Sequence, residues 1–256
     1  MQFENGETFA GGVIAAAEHV ASFCGHVDVI TSLGKLDSQE DLIRTNLEDN
    51  IHLNLLYRND APTTRKTRYI DTSYMGKLFE VYDFKDHPPS AEGEEKLRSI
   101  INDKIKDADL VIVTDFGHGL ITQDVIADLC ENAPFLAVNV QTNAGNHGFN
   151  FATRYPRADF VCIDTPEARL AVSDKYADVQ KLISELLPEK IDCDRFIITL
   201  GLHGSMTFQR ESGKVHRIPA ITDQVVDTVG AGDAFFAVAA PLVLASGSVE
   251  LAAFLG

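Results

Sequence analysis

A glycine-rich stretch near the end of the chain decides the fold: it reads DTVGAGD, from Asp227 to Asp233. The apolar run AFFAVAA, residues 234–240, follows at once and predicts a buried helix. Small residues at a helix start let the backbone approach a ligand, and the unpaired N–H groups of the first turn favour an anion. A carboxylate at Asp233 suits that place if it accepts the proton of an attacking hydroxyl, which indicates phosphoryl transfer. The simpler interpretation is that Asp233 only interacts with the helix dipole.

Upstream of this stretch, short buried strands alternate with helices. In chain order the segments are a strand at 110–114, a helix at 122–132, strands at 135–140 and 160–163, helices at 166–172 and 178–187, and a strand at 196–200. Such alternation predicts right-handed βαβ crossovers and a mostly parallel sheet covered on both faces. Ligands of such folds bind beyond the carboxyl ends of the strands.

The N-terminal part of the chain is more polar. Its segments are a helix from Val13 to Ala21, a strand at 27–31, a helix at 37–48, strands at 51–57, 64–70 and 78–82, and a helix from Ser90 to about Asp107. The strands at 64–70 and 78–82 alternate polar and apolar residues, which is typical of an exposed sheet. We therefore expect one α/β domain with a small β appendage at about 62–84. Pro241 should kink the last long helix or end it early.

Composition narrows the classes of function. The chain has 256 residues and a formal net charge of −16, a field that repels nucleic acid and anionic membranes. Its four cysteines form no C-x-x-C pair, which argues against a zinc cluster and suits a reducing cytoplasm. The longest uncharged stretch, 234–249, contains Pro241 and Gly247 and is a poor membrane span. We expect a cytoplasmic protein with a small-molecule ligand, and neither a nucleic acid nor a membrane as partner.

The DTVGAGD stretch resembles the signature of the ribokinase-like (PfkB) family of carbohydrate kinases, and the resemblance covers nearly the whole chain. Gly11-Gly12 and the segment 33–37 resemble the family's N-terminal signature. The string TLGLHG at 199–204 resembles its T-x-G-x-x-G strand end, and DTPE at 164–167 resembles its N-x-x-E motif. Segments 62–68 and 114–119 resemble heptose-phosphate kinases that are often fused to a nucleotidyltransferase. The resemblance implies a three-layer ribokinase-like fold with a mostly parallel central sheet and a small β lid.

The resemblance also implies roles for individual residues, with ATP and Mg²⁺ as cofactors. Asp233 would be the catalytic base, with the backbone N–H groups of Gly230, Ala231 and Gly232 holding the phosphoryl group. The nucleotide site would comprise Thr199, Gly201, Gly204, Asp227 and Thr228. The sugar or sugar phosphate would meet Gly11, Gly12, Asp37, Lys66, Arg68 and Asp115, and Asp164 and Glu167 would organise magnesium through water. A homodimer through the β lid and a fused nucleotidyltransferase domain outside this chain are further expectations.

Several positions depart from the family pattern. The sugar-contacting Asn is replaced by Ala15, and an Asp-Pro-Lys-like string reads Asn139-Val140-Gln141. The Asp-Tyr-Gly-Lys string of the heptose-phosphate kinases reads DFGH from Asp115 to His118. Both ends are short for the family, so we expect a kinase domain truncated at both ends. These changes favour an altered acceptor, and they leave two alternatives: a non-catalytic nucleotide- or sugar-binding module of a larger enzyme, and a nucleoside kinase.

Overall fold

The architecture is seen in a computed structural model that describes residues 5–45, 47–71, 76–221 and 230–256. The expected nucleotide ligands Asp227 and Thr228 lie outside the described residues. The N-terminal elements are α1 (Val13–Ala21), β1 (Val27–Gly34), α2 (Glu40–Thr45), β2 (Ile51–Arg58), β3 (Arg65–Asp71), β4 (Gly76–Asp83) and α3 (Ala91–Lys104). The later strands are β5 (Val111–Asp115), β6 (Leu136–Val140), β7 (Phe160–Asp164), β8 (Arg195–Thr199), β9 (Ser205–Gln209) and β10 (Lys214–Ile218). The later helices are α4 (Gln123–Asn132), α5 (Thr165–Val172), α6 (Val179–Lys181), α7 (Ala231–Ser246) and α8 (Val249–Leu255).

The central sheet has the order β10-β9-β8-β7-β6-β5. Strands β5 to β8 are parallel, whereas β9 pairs antiparallel with β8 and β10 antiparallel with β9. The prediction of a mostly parallel sheet is therefore confirmed. The hairpin of β9 and β10 was not predicted from the sequence, because the edge strand β10 has no buried residue and β9 mixes polar and apolar residues.

Helices cover both faces of this sheet, as the alternation of its buried residues requires. Val138, Val161 and Ile198 belong to the larger core cluster, which also contains buried residues of α3, α4 and α5. Their neighbours Ala137, Phe160 and Ile197 face the opposite cluster, which contains buried residues of α7 and α8. The three-layer arrangement follows from this division, and the α/β class expected from the sequence is confirmed.

Two small sheets lie beside the central one. Strands β1 and β2 form a parallel pair, and β3 and β4 form an antiparallel hairpin. Most described residues of β3 are exposed, as the alternating pattern predicts. At the root of the hairpin, the buried Arg58 donates to the carbonyl oxygens of His87 and Pro88 and pairs with Asp60, which fastens the two ends of the insertion together.

Three helix predictions need correction. The helix expected at 37–48 is the shorter α2, and the one expected at 178–187 becomes a π-helix over Leu182–Leu186 after α6. Pro241 does not end α7, which continues to Ser246. Proline removes one backbone hydrogen bond, but Ala239, Ala240 and Val243 are fully buried against the sheet, and that packing holds the helix together.

Candidate active site

The carboxyl ends of four parallel strands meet at one edge of the sheet. Asp115, Asp164 and Thr199 are the last residues of β5, β7 and β8, and Gln141 follows β6 directly. A cleft of about 90 Å³ opens there, and Asp233 from the first turn of α7 lines it together with Gln141, Asp164 and Thr199. The fold therefore brings together expected residues from three separate parts of the sequence, together with Gln141, at the edge where such folds bind ligands.

The N-terminus of α7 is open toward this edge. Gly230 is the N-cap with φ 78°, and no side chain of the described residues caps the helix. The first backbone bond of the helix runs from the N–H of Ala234 to the carbonyl of Gly230, at 2.9 Å. Gly230, Ala231 and Gly232 are exposed, and Gly232 lines the cleft, so the uncapped first turn of α7 borders a place where an anion can bind.

Asp233 is half-buried and has one side-chain partner among the described residues. The Nε2 of Gln141 donates to Oδ1 of Asp233 at 2.7 Å. Burial raises the pKa of the Asp233 carboxyl, while the hydrogen bond from Gln141 and the positive charge of Lys66 oppose that rise. A carboxylate with a raised pKa and an oxygen directed to the cleft can act as a general base.

Asp164 and Glu167 form a capping box at the start of α5. Oδ1 of Asp164 accepts from the N–H of Glu167 at 2.7 Å, and Oε2 of Glu167 accepts from the N–H of Asp164 at 3.0 Å. Oε1 of Glu167 accepts from the N–H of Thr142 at 3.2 Å. Burial first, and then the charge of Asp164, raise the pKa of Glu167 to about 7. The two carboxylates are thus held in fixed positions as structural caps.

These two carboxylates can also be tested as a magnesium site. Within the described ranges, no three His, Cys, Asp or Glu side chains are grouped to hold a metal ion directly. The buried Oδ1 of Asn139 has no hydrogen-bond partner among the described residues, and Asn139 lines the same cleft as Asp164 and Glu167. Oxygen donors of this kind fit Mg²⁺, which keeps several waters and uses one or two carboxylates with substrate phosphates.

The loop after β8 lies on the nucleotide side expected from the sequence. Thr199 lines the cleft, and a short 3₁₀ turn spans Gly201–His203. Gly204 has φ +84°, and a Cβ placed on it would lie 2.0 Å from the carbonyl oxygen of Ile218. Only glycine fits there, so the T-x-G-x-x-G pattern reflects a close approach between this loop and the end of β10.

The β3–β4 hairpin brings Lys66 close to Phe116 and within electrostatic reach of Asp233. The Nζ of Lys66 lies 5.2 Å from the ring centre of Tyr82 and 5.6 Å from that of Phe116. Gly12, with φ +59°, lies against the same Phe116 ring, which a Cβ would meet at 3.4 Å. Burial lowers the pKa of the Lys66 ammonium, and the negative charge of Asp233 acts in the opposite direction.

Other residues expected on the substrate side are engaged elsewhere. Arg68 forms a 2.5 Å ion pair with Glu80 across the hairpin. Asp115 is only 3% exposed, and its carboxylate accepts from the hydroxyl of Tyr155 at 2.9 Å and from the N–H of Gly117 at 2.9 Å. Asp115 therefore organises the loop that follows β5 instead of presenting a free carboxylate. Asp37 and Gly11 are exposed and have no contact with the cleft residues in the described structure.

His118 is a residue whose environment the sequence did not predict. A histidine in a loop is usually solvated, but the ring of His118 packs 4.7 Å from that of Phe84, and its buried Nε2 has no hydrogen-bond partner. Burial and the charge of Lys66 lower its pKa to about 4, so the imidazole is neutral near pH 7. The sequence feature that could have singled out His118 is its position between two glycines in the DFGHG segment.

Comparison with known structures identifies the fold. The chain resembles phosphofructokinase-2 from Escherichia coli with a TM-score of 0.76 and 14% identity, covering 99% of this chain and 84% of that chain. It resembles Arabidopsis thaliana ribokinase complexed with ribose and ATP with a TM-score of 0.70 and 20% identity, covering 99% of this chain and 80% of that chain. At this identity the similarity concerns the fold, which is ribokinase-like.

Sequence comparison assigns the family. Residues 1–256 match the pfkB family carbohydrate kinase model, and the chain belongs to that family. It is 28% identical over 249 residues to the bifunctional protein HldE of Bradyrhizobium diazoefficiens, covering 96% of this chain and 49% of the relative. An HldE of Rhodopseudomonas palustris is 27% identical over 252 residues, with 96% and 50% covered. The chain thus spans about half the length of these curated relatives.

Its described helices include none long and apolar enough to cross a membrane.

Proposed function

We propose that this site transfers a phosphoryl group from ATP to a hydroxyl of a sugar or sugar phosphate. The observation that carries the proposal is the position of Asp233, in the first turn of an uncapped helix and at the edge where four parallel strands end. Donors for an anion and an acceptor for a proton lie side by side there. Membership of a carbohydrate kinase family supports the same reaction.

In the proposed reaction, Asp233 accepts the proton of the acceptor hydroxyl through a carboxylate oxygen. The hydroxyl oxygen forms a bond to the γ-phosphorus, and the bond from that phosphorus to the β-bridging oxygen breaks, which releases ADP. The N–H groups of Gly230, Ala231 and Gly232 donate to the oxygens of the transferring group. Asp164 and Glu167 would hold Mg²⁺ through water, and the ion would neutralise part of the phosphate charge. Thr199, Gly201 and Gly204 would border the nucleotide, as would Asp227 and Thr228.

For the acceptor, we propose a phosphorylated sugar of the heptose-phosphate type. Segments 62–68 and 114–119 resemble heptose-phosphate kinases, and HldE proteins are among the relatives. Lys66 is a cation of the hairpin within electrostatic reach of Asp233, and a substrate phosphate would bind to its ammonium. Arg68 would first have to leave Glu80.

The test is ADP release with Mg-ATP against a panel of sugars, sugar phosphates and nucleosides. We expect release that depends on a sugar phosphate, and its loss in Asp233→Asn without loss of ATP binding. An Asp233→Asn protein that turned over at the wild-type rate would contradict the assignment of the base. ATP binding without turnover of any acceptor would favour the binding-module alternative, and turnover of nucleosides alone would favour a nucleoside kinase.

Two further proposals concern assembly. We propose that residues 1–256 act as one kinase domain, with the hairpin of β3 and β4 as a lid that also forms a homodimer. Exposed apolar side chains on the hairpin, among them Ile70, Phe79 and Val81, support a dimer. Sedimentation at micromolar concentration should give a dimer mass, and Phe79→Lys should give a monomer.

A fused nucleotidyltransferase is proposed for the whole protein because its curated relatives are about twice as long.

A further inference from the structure

The end of β6 holds the amide that contacts the proposed base. Gln141 donates from Nε2 to Oδ1 of Asp233 at 2.7 Å, which joins the end of a central strand to the first turn of α7. Both line the same cleft. The hydrogen bond at Oδ1 holds the carboxylate in one orientation, and among the described residues nothing donates to its other oxygen, Oδ2, which can accept the proton of a hydroxyl.

The backbone of Gln141 is fixed on both sides. Its N–H donates to the carbonyl of Asp115 at 2.9 Å. Its carbonyl accepts from Nδ2 of Asn146 at 2.8 Å and from Nδ2 of Asn150 at 3.3 Å. A side chain that projects from a backbone held in this way loses little further entropy when it forms its hydrogen bond, so it can hold Asp233 accurately.

The next residue links the same strand end to the acidic side of the cleft. The N–H of Thr142 donates to Oε1 of Glu167, and the negative charges of Asp164 and Asp233 both raise the pKa of Glu167. Among the described residues, Lys66 from β3 and Glu167 from α5 interact electrostatically with Asp233, and Gln141 is the neutral donor to its carboxylate. A neutral amide orients the carboxylate through a hydrogen bond and adds no charge to the cleft.

We propose that Gln141 is a positioning residue for phosphoryl transfer, which holds the Asp233 carboxylate through Oδ1 so that Oδ2 meets the acceptor hydroxyl. This inference rests on the proposed function. It also gives a role to one of the positions at which the chain departs from the Asp-Pro-Lys-like string of its relatives.

The test compares side chains of similar length at this position in the full chain. Gln141→Met removes the donor and should lower kcat roughly tenfold, with KM for ATP and for the acceptor within about twofold of wild type, because misplacing a catalytic group affects the chemical step. Gln141→Lys restores an N–H donor and should recover most of that loss. Gln141→Glu replaces the donor by an acceptor in the same shape and should be slower than Gln141→Met at pH 8.

The control is Gln123→Met, which makes the same change at an exposed position on α4. Thermal unfolding of each variant separates misfolding from misplacement, and the Lys and Glu variants decide the matter if the Met variant does not fold. A wild-type kcat in Gln141→Met, or equal losses in the Met and Lys variants, would overturn the inference while the kinase reaction stands. If the wild-type protein releases no ADP with any acceptor, the proposed function fails and this inference fails with it.

Discussion

Lys66 on the β3–β4 hairpin and Asp233 at the start of α7 lie within electrostatic reach of each other, and each charge shifts the pKa of the other group toward its ionised form. Lys66 belongs to the exposed hairpin and Asp233 to the helix N-terminus at the sheet edge. In the proposed reaction, a hydroxyl between them would have a base on one side and a cation for a substrate phosphate on the other. The relationship between these two residues leads to the first predictions.

Replacing Lys66 should weaken acceptor binding selectively. We expect Lys66→Met to raise KM for a sugar phosphate about 10- to 100-fold, the equivalent of one charge-assisted hydrogen bond of roughly 1.5–3 kcal/mol. Arg68→Met is the matched control and should change KM about twofold or less, because Arg68 is paired with Glu80. Steady-state kinetics of both variants measure the two KM values. Equal increases in KM would mean that the ion pair between Arg68 and Glu80 opens when the acceptor binds.

The pH dependence should follow the ionisation of Asp233. Burial raises the pKa of this carboxyl, and only the ionised form accepts a proton. We expect kcat/KM to reach its maximum above the raised pKa and to fall as the pH drops through that pKa. The midpoint of the fall should lie above the ordinary aspartate pKa of about 3.9. Lys66→Met should move this limb to still higher pH, because the Lys66 charge lowers the pKa of Asp233. A shift toward lower pH would contradict the arrangement.

Stability should also depend on pH through Glu167. Its folded-state pKa is raised from 4.5 to about 7, so the folded protein holds a proton that the unfolded chain has lost. The stabilisation is complete below about pH 4.5 and disappears as the pH rises through 7, a change of roughly 3 kcal/mol. Denaturant unfolding of wild type and Glu167→Gln across this range should show the difference. Glu189→Gln is the control, and parallel curves for wild type and Glu167→Gln would refute the assignment.

Substitutions at Asp164 should separate its cap from its proposed part in magnesium binding. Asp164→Asn keeps a side-chain oxygen for the N–H of Glu167, whereas Asp164→Ala removes it and should cost about 1 kcal/mol of unfolding free energy. Both variants lose the carboxylate. We expect both to need more Mg²⁺ for half-maximal ADP release, with only the Ala variant clearly less stable. An Asn variant with the wild-type Mg²⁺ requirement would assign Asp164 to the cap alone.

Gly204→Ala should destabilise the nucleotide-side loop. The new Cβ would lie 2.0 Å from the carbonyl oxygen of Ile218, and φ of +84° adds strain. We expect a loss of about 2 kcal/mol or more, together with weaker ATP binding. Gly213→Ala is a close control because its φ is +65° with nothing within 4 Å, so it measures the backbone strain without the collision. Equal melting temperatures for the two variants would contradict the close approach.

Much of the fold followed from local patterns in the chain. Hydrophobic runs such as 160–163 and 196–200 predicted buried strands, and Ser90 and Thr122 cap helices close to where the sequence placed their starts. The glycine-rich stretch predicted the helix N-terminus that contains Asp233. These features are local, because burial periodicity and capping depend on residues within a few positions of each other.

The sequence by itself determined the class of fold, the helix that starts beside Asp233, and the set of residues that could enter the site. The tertiary structure decided which of them do. Arg68 pairs with Glu80, Asp115 is buried under Tyr155, and Gln141 reaches Asp233. Residues that alternate along one strand, such as Lys66 and Arg68, look alike in sequence. Their roles diverge because a charged side chain engages whichever partner lies within a few ångströms, and only the packed chain sets those distances.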